Sequence, residues 1–268
     1  MYKYKVEYIP VKHLSVLWVQ AQRPYNEKWS REIAENFDPD KFDPLVVTKP
    51  NGEGVYHIIE GQHRRHALEM FASKFGDKAE NEQAPCRVVE EADPSRAAEI
   101  WLGINAGRKK IQPINEFLVA VVANREMEVA INRVLTRVGY KVSPRKAKGT
   151  ISAVAALKLI YGRYGAVILE KTLRAIGNTW SDDPQAVSSP LLRGFGIFIN
   201  EFSDHVNMRR LKQQVGDRFT PFNFEMAAKA HKQSTLERID ETLSELLMRE
   251  YNRGLKDENK LRHKKSTK

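Results

Sequence analysis

Residues 55–70, VYHIIEGQHRRHALEM, limit the fold more than any other stretch of the chain. Val55, Tyr56, His57, Ile58 and Ile59 form a run of β-favouring residues. The run breaks at Glu60-Gly61, and the chain resumes at Gln62 as the first turns of a helix. A strand that turns through glycine into a helix leaves backbone N–H groups unpaired at the helix start. Those groups, with the helix dipole, suit an anion such as phosphate. His57, His63, Arg64, Arg65 and His66 crowd this one turn. On a helix, 63, 66 and 67 share a face, while 64 and 65 point away from it in two directions. Arg64 is the arginine expected to meet a ligand. The bland alternative is a buried turn whose histidines satisfy local hydrogen bonds.

Charge is divided unevenly along the chain. Of its 44 Lys+Arg and 34 Asp+Glu, residues 1–113 hold 17 of each, which leaves 27 bases and 17 acids for the rest. The net charge of +10 therefore belongs wholly to residues 114–268. Such asymmetry points to a polyanion partner for that part; the plain alternative is solubility. No stretch approaches the roughly 20 apolar residues of a membrane helix, and the N-terminal residues lack a signal-peptide core. The single Cys86 excludes an intrachain disulfide and a multi-cysteine zinc site. These features predict a cytoplasmic protein with no membrane partner.

The pattern up to residue 113 mixes strands and helices. Residues 42–48 and 84–89 read as strands, and 51–54 (NGEG) as the hairpin turn before the strand at 55. Asn26 or Glu27 starts a short helix, and Asp93-Pro94 caps another. Gly76 is expected to end the helix that starts at Gln62. After residue 113 the pattern is helical: one long amphipathic helix over 114–138, a basic loop over 142–149, and a helical pair over 150–177 turning at 161–165. Further helices are expected over 190–202, 207–215 and 224–251. The predicted fold class is α+β, with an α/β domain over 1–113, an all-helical basic domain over 114–255, and a disordered basic tail over 256–268.

The order QRP, short helix, FDPLVV, turn, VYHIIEGQHRRHA, PCRVV resembles the N-terminal domain of the ParB family, which shares its fold with sulfiredoxin. Gly61, Gln62, His63 and Arg64 look like the core written DGQHR in the wider superfamily. Residues 105–116 look like the ParB segment E-N-x-x-R followed by L-N-P-I-E-E, and the resemblance covers about residues 5–120. It implies a nucleotide or phosphate site at Gly61, Gln62, His63, Arg64, Asn105 and Arg108, with CTP as the type ligand and Asn105 as a ligand of Mg2+. Gln62 and His63 stand where ParB has Glu and Arg, and Ile104 where it has the glutamate linked to turnover. Loss of a carboxylate beside a metal removes a ligand or a water-orienting base. Gln62 also occupies the place of the sulfiredoxin cysteine, which disfavours that chemistry.

In ParB proteins a helical DNA-binding domain follows, and residues 150–177 are the candidate helix-turn-helix. Phosphate contacts need only charge. Arg145, Lys146, Lys148, Arg163, Lys171, Arg174, Arg209, Arg210 and Lys212 are the candidate DNA-binding residues. Leu236, Ile239, Leu243 and Leu246 form a short heptad-like seam, either for a homodimer through 236–251 or for packing on its own domain. The function these features predict is a ParB-like DNA-binding protein in plasmid or phage partition, replication or regulation. The rival readings are an enzyme of the same fold, a nuclease or nucleotide hydrolase, and a scaffold without a ligand.

Overall fold

Strand β3 (Leu45–Thr48) is buried at all four residues, and its alternation sets the layers of the first unit. Leu45 and Val47 face a core with Ile58, Leu68, Ala84 and Cys86. Val46 faces the opposite core with Ile59, Ala98, Trp101 and Val119. Side chains alternate across a strand, so one run of apolar residues supplies both faces. The computed structural model describes residues 5–16, 24–74, 82–90, 92–106, 112–181, 183–232 and 238–263. The described chain divides into two units, 1–125 and 126–268.

The first unit is a five-stranded sheet in the order β1-β5-β3-β4-β2. The strands are β1 (Val6–Pro10), β2 (Leu14–Ser15), β3, β4 (Tyr56–Glu60) and β5 (Gln83–Val89). β1/β5 and β3/β4 run antiparallel, while β5/β3 and β4/β2 run parallel. The register of β3 on β4 shifts, with Val46 opposite Glu60 and Val47 opposite Ile58. The extra residue, Ile59, is a bulge that bends β4 just before the glycine turn. Helix α2 (Gln62–Lys74) covers one face through Leu68, with α1 (Glu27–Glu35) packed on it. Helices α3 (Pro94–Asn105) and α4 (Pro113–Val122) cover the other.

Local signals are realised as expected. The Asn26 side chain accepts a bond from Trp29 N at 3.2 Å, and that of Asp93 one from Arg96 N at 2.8 Å, with Pro94 in the first turn. Asn51 Oδ1 accepts from the N–H groups of Glu53 and Val55, both at 2.9 Å, and closes the hairpin. The end expected at Gly76 lies outside the described residues.

The long helix expected over 114–138 is two helices, α4 and α5 (Glu126–Arg137). Between them Asn124 takes φ +57, a left-handed conformation that asparagine tolerates better than most residues. The first unit therefore extends through α4 to Arg125, past the boundary expected at 113. Up to Arg125 the chain carries 18 residues of each sign, so the whole +10 lies in the second unit.

The second unit is helical except at one place. The basic loop expected over 142–149 is closed by parallel β6 (Lys141–Val142) and β7 (Thr150–Ile151). Thr150 Oγ1 holds the loop, donating to Arg145 O and accepting from Ala147 N. The turn expected at 161–165 contracts to one residue. Helix α6 (Val154–Trp180) is interrupted only at Gly165, with φ +79 and ψ 179, and runs past the end expected at 177. Helices α7 (Ser189–Phe202), α8 (Met208–Leu211, continuing into a π turn), α9 (Pro221–Lys232) and α10 (Ile239–Asn252) follow. The expected single helix over 224–251 is thus α9 and α10, with a fresh N-terminus at Arg238, whose N–H donates to Glu241.

Helix α7 carries the core of this unit between α6 and α10. A Cβ on Gly194 would lie 2.5 Å from Leu243 Cβ, and one on Gly196 3.0 Å from Ile160 Cγ1. The seam of α10 accordingly faces its own unit. Leu243, Leu246 and Leu247 are buried in the single chain, whereas Leu236 lies outside the described residues. Leu243 packs against Gly194 of α7, which favours the packing of α10 on its own unit. The tail is docked as far as His263. Leu261 is buried, Asn252 exchanges bonds of 2.8 and 2.7 Å with its backbone, and His263 bridges Glu201 and Glu245 at 2.6 Å each.

Gly194→Ala is expected to destabilise the protein by about 1–3 kcal/mol through overpacking. Gly162→Ala, which meets nothing within 4 Å in the same unit, is expected to be neutral or to stabilise by up to about 1 kcal/mol. Urea midpoints of the two variants check this. Burial alone pulls the His263 pKa down, but Glu201 and Glu245 outweigh it and hold it above 6.5. A raised folded pKa gives stability that is complete below the unfolded pKa and lost as pH rises through the folded one. Melting scans should therefore show a His263→Gln deficit below pH 6.5 that closes at alkaline pH. Exposed pairs of this kind contribute up to about 1 kcal/mol.

Candidate functional site

The turn from β4 into α2 requires glycine for two reasons. Gly61 has φ +109, and a Cβ there would lie 2.5 Å from Leu45 Cδ2. The first helical bond runs from Arg65 N to Gly61 O at 2.9 Å. Gln62 and His63 are buried, and the ring of His63 points toward the start of α1. Its Nε2 accepts the N–H of Asn26 at 3.1 Å, which places the proton of a neutral ring on Nδ1. Trp29 lies 4.5 Å and Tyr25 5.8 Å from the His63 ring, and Tyr25 lies 4.6 Å from the His66 ring. His63 and His66 thus share the face expected from their spacing. Tyr25 and Trp29 are members of the site that the sequence reading missed; the only signal was their place beside the helix that Asn26 caps.

Both arginines of the turn have a carboxylate. The Arg64 guanidinium pairs with Glu60 and donates to the carbonyls of Asp43 and Pro44. Arg65 pairs with Glu69 at 2.9 Å, and His66 Nδ1 lies 3.1 Å from the same carboxylate. The Arg65–Glu69 pair has the i,i+4 spacing that helical geometry favours, whereas Glu60 reaches Arg64 from the end of β4. That spacing is visible in the sequence, so Glu69 was detectable there, while the contact of Glu60 depends on the glycine turn between it and the helix. An anion that engages Arg64 must displace Glu60 or share the guanidinium with it.

Asn105 is buried at the end of α3, with its side-chain amide donating to Trp101 O at 2.8 Å. Arg108 lies outside the described residues. Among the described residues no group of three or more His, Cys, Asp or Glu converges as a metal site. Magnesium needs near-octahedral oxygen ligands, with carboxylates in its protein share. It takes only one or two of these and completes its shell with water and ligand phosphates, so a three-residue cluster is not what it requires.

The candidate DNA-binding residues of the second unit fall into two sets. Some are engaged within the protein. Arg210 donates from Nε to Tyr251 O at 2.8 Å and from Nη2 to Arg253 O, so it caps the C-terminus of α10. Arg174 pairs with Glu170 at 2.9 Å, and Lys171 lies 3.3 Å from Asp204. Lys148 is exposed and also has a partner. Arg145, Lys146, Arg163, Arg209 and Lys212 are exposed and make no ion pair with any described residue. Among the described residues no helix is long and apolar enough to cross a membrane.

No family model and no curated protein matches the sequence. Among solved structures, the chain is similar to the C-terminally truncated chromosome-partitioning protein ParB from Caulobacter crescentus complexed with CTP-gamma-S. The match has 19% identity and a TM-score of 0.30, and covers 63% of this chain and 99% of that one. At that score the likeness is loose, and the site is read from its own residues.

Cys86 lies in β5, opposite Leu45 of β3. Burial, reinforced by Glu7 and partly opposed by Arg64, pushes its thiol up to about 12. The thiolate is the reactive form. A maleimide or disulfide reagent at pH 8 is expected to leave the folded protein unlabelled and to label one thiol after unfolding in urea. Rapid labelling of the folded protein would contradict the burial of Cys86.

Proposed function

We propose that this chain is a ParB-like DNA-binding protein. Its second unit meets the DNA backbone, and the turn at Gly61, Gln62, His63 and Arg64 holds a phosphate-bearing ligand, with CTP the first candidate. The observation that carries the DNA half is the set of five exposed cations without ion pairs, all in the unit that owns the charge excess. Bases engaged in salt bridges are already neutralised and release few counterions on binding. Unengaged ones exchange counterions for phosphates, which drives association and makes it salt-dependent. Plasmid or phage partition, replication or regulation is the setting that this reading suggests.

For the ligand half, the support is the turn itself. Its glycine conformation, its helix start and Arg64 converge at one point. Glu60 competes for the guanidinium. The reading is therefore of a site that binds, with Ile104 and Gln62 standing where catalytic groups occur in the families it resembles.

Two measurements test these halves. Gel shifts of the full chain on duplex DNA should weaken steeply with salt, by about 0.9 in log–log slope for each phosphate neutralised. Arg145→Ala should flatten the slope by about 1. Absence of duplex binding at low salt sinks the DNA half. By calorimetry, Glu60→Gln should tighten CTP or triphosphate binding several-fold and Arg64→Ala should abolish it. Flat traces for the native protein and both variants would remove the ligand half.

A further inference from the structure

A groove of about 510 Å³ opens in the second unit between the loop after β6, the segment before α7 and the first turns of α9. Two kinds of side chain line it. Arg145 and Lys146 are exposed cations without ion pairs among the described residues. Phe222 is 61% and Met226 46% exposed, among the most exposed large apolar side chains of the described chain. The starts of three helices, α6, α7 and α9, also meet at this groove, and none carries an acidic residue in its first turn. Acids are favoured there, because they answer the positive end of the dipole. The one carboxylate in the lining, Glu225, is held by Lys229 at 2.8 Å and by the Ser188 hydroxyl at 2.8 Å. The groove therefore presents uncompensated positive charge beside a bare aromatic face.

We propose that this groove binds an unpaired stretch of nucleic acid, with phosphates on Arg145 and Lys146 and a base stacked on Phe222. The proposal rests on the nucleic-acid reading above and names where and in what form the strand is held. A duplex keeps its bases stacked on one another. Against a duplex, Phe222 and Met226 would face phosphates and gain nothing. An unpaired strand supplies charge and a flat apolar face together, which is the pairing that single-strand grooves use. Met226, unbranched and polarizable, suits the second side of a planar ring. Gln185, exposed at the same rim, offers an amide to a base edge.

The test uses the full chain and three labelled probes in fluorescence anisotropy: a 20-nucleotide oligo-dT, a duplex of equal length and an acidic peptide. Phe222→Ala is expected to weaken oligo-dT binding about tenfold and duplex binding less than twofold. Arg145→Glu combined with Lys146→Glu should weaken both. Ultraviolet cross-linking with iodouridine-substituted oligonucleotide should place the adduct on the peptide carrying Phe222. Phe222 is exposed, so its variant should keep the native melting curve. If Phe222→Ala leaves oligo-dT affinity unchanged while the duplex binds, the groove inference falls and the DNA-binding reading stands. If neither nucleic acid binds, both fall. Binding of the acidic peptide instead, dependent on Phe222, also overturns the groove inference.

Discussion

Leu45 and Gly61 approach so closely that no side chain fits between them, and the first unit is arranged about that contact. It joins the central strand to the helix start, because Leu45 belongs to the buried strand and Gly61 opens α2. The bulge at Ile59 immediately before it turns β4 toward this point. Through Val46 and Ile59 the same strands hold α3 and α4 on the far face. A residue larger than glycine at 61 would have to move Leu45, and with it both layers. The geometry of the turn is therefore tied to the packing of the whole unit.

The second unit uses glycine in the same way but for helices. Gly194 and Gly196 let α7 lie close to α10 on one side and α6 on the other. This close approach buries Leu243 of α10 against α7. Arg210 shows how the two roles divide. Its guanidinium closes the end of α10, while its neighbour Arg209 remains exposed.

Much of the fold was legible because its signals are local. The strand–glycine–helix turn, the Asn26 and Asp93 caps and the Asn51 hairpin each depend on a few adjacent residues, and each is found. The break at Asn124 was not legible, because Phe117, Val121, Ile131 and Leu135 stay on one helical face across it. The leucines of α10 fit a partner chain or α7 equally well, and only the close approach at Gly194 decides. Charge was the least legible feature of the site. Counting His63, Arg64, Arg65 and His66 makes the turn look strongly positive, but Glu60 at the end of β4 pairs with Arg64 and Glu69, one helical turn on, pairs with Arg65. The strand pairing of residues 141–142 with 150–151 was hidden by the brevity of both strands.

Composition changes near residue 255, which makes that point an attractive place to shorten the chain. The docked segment argues otherwise. Leu261 is clasped by Asn252, and the imidazole of His263 is the bridge between Glu201 on α7 and Glu245 on α10. A chain cut at 255 would set two carboxylates against each other across the α7–α10 seam and strip an apolar cover from its end. What reads as a dispensable appendix by composition is, below the raised pKa of His263, the counterion of the helix pair that organises the second unit.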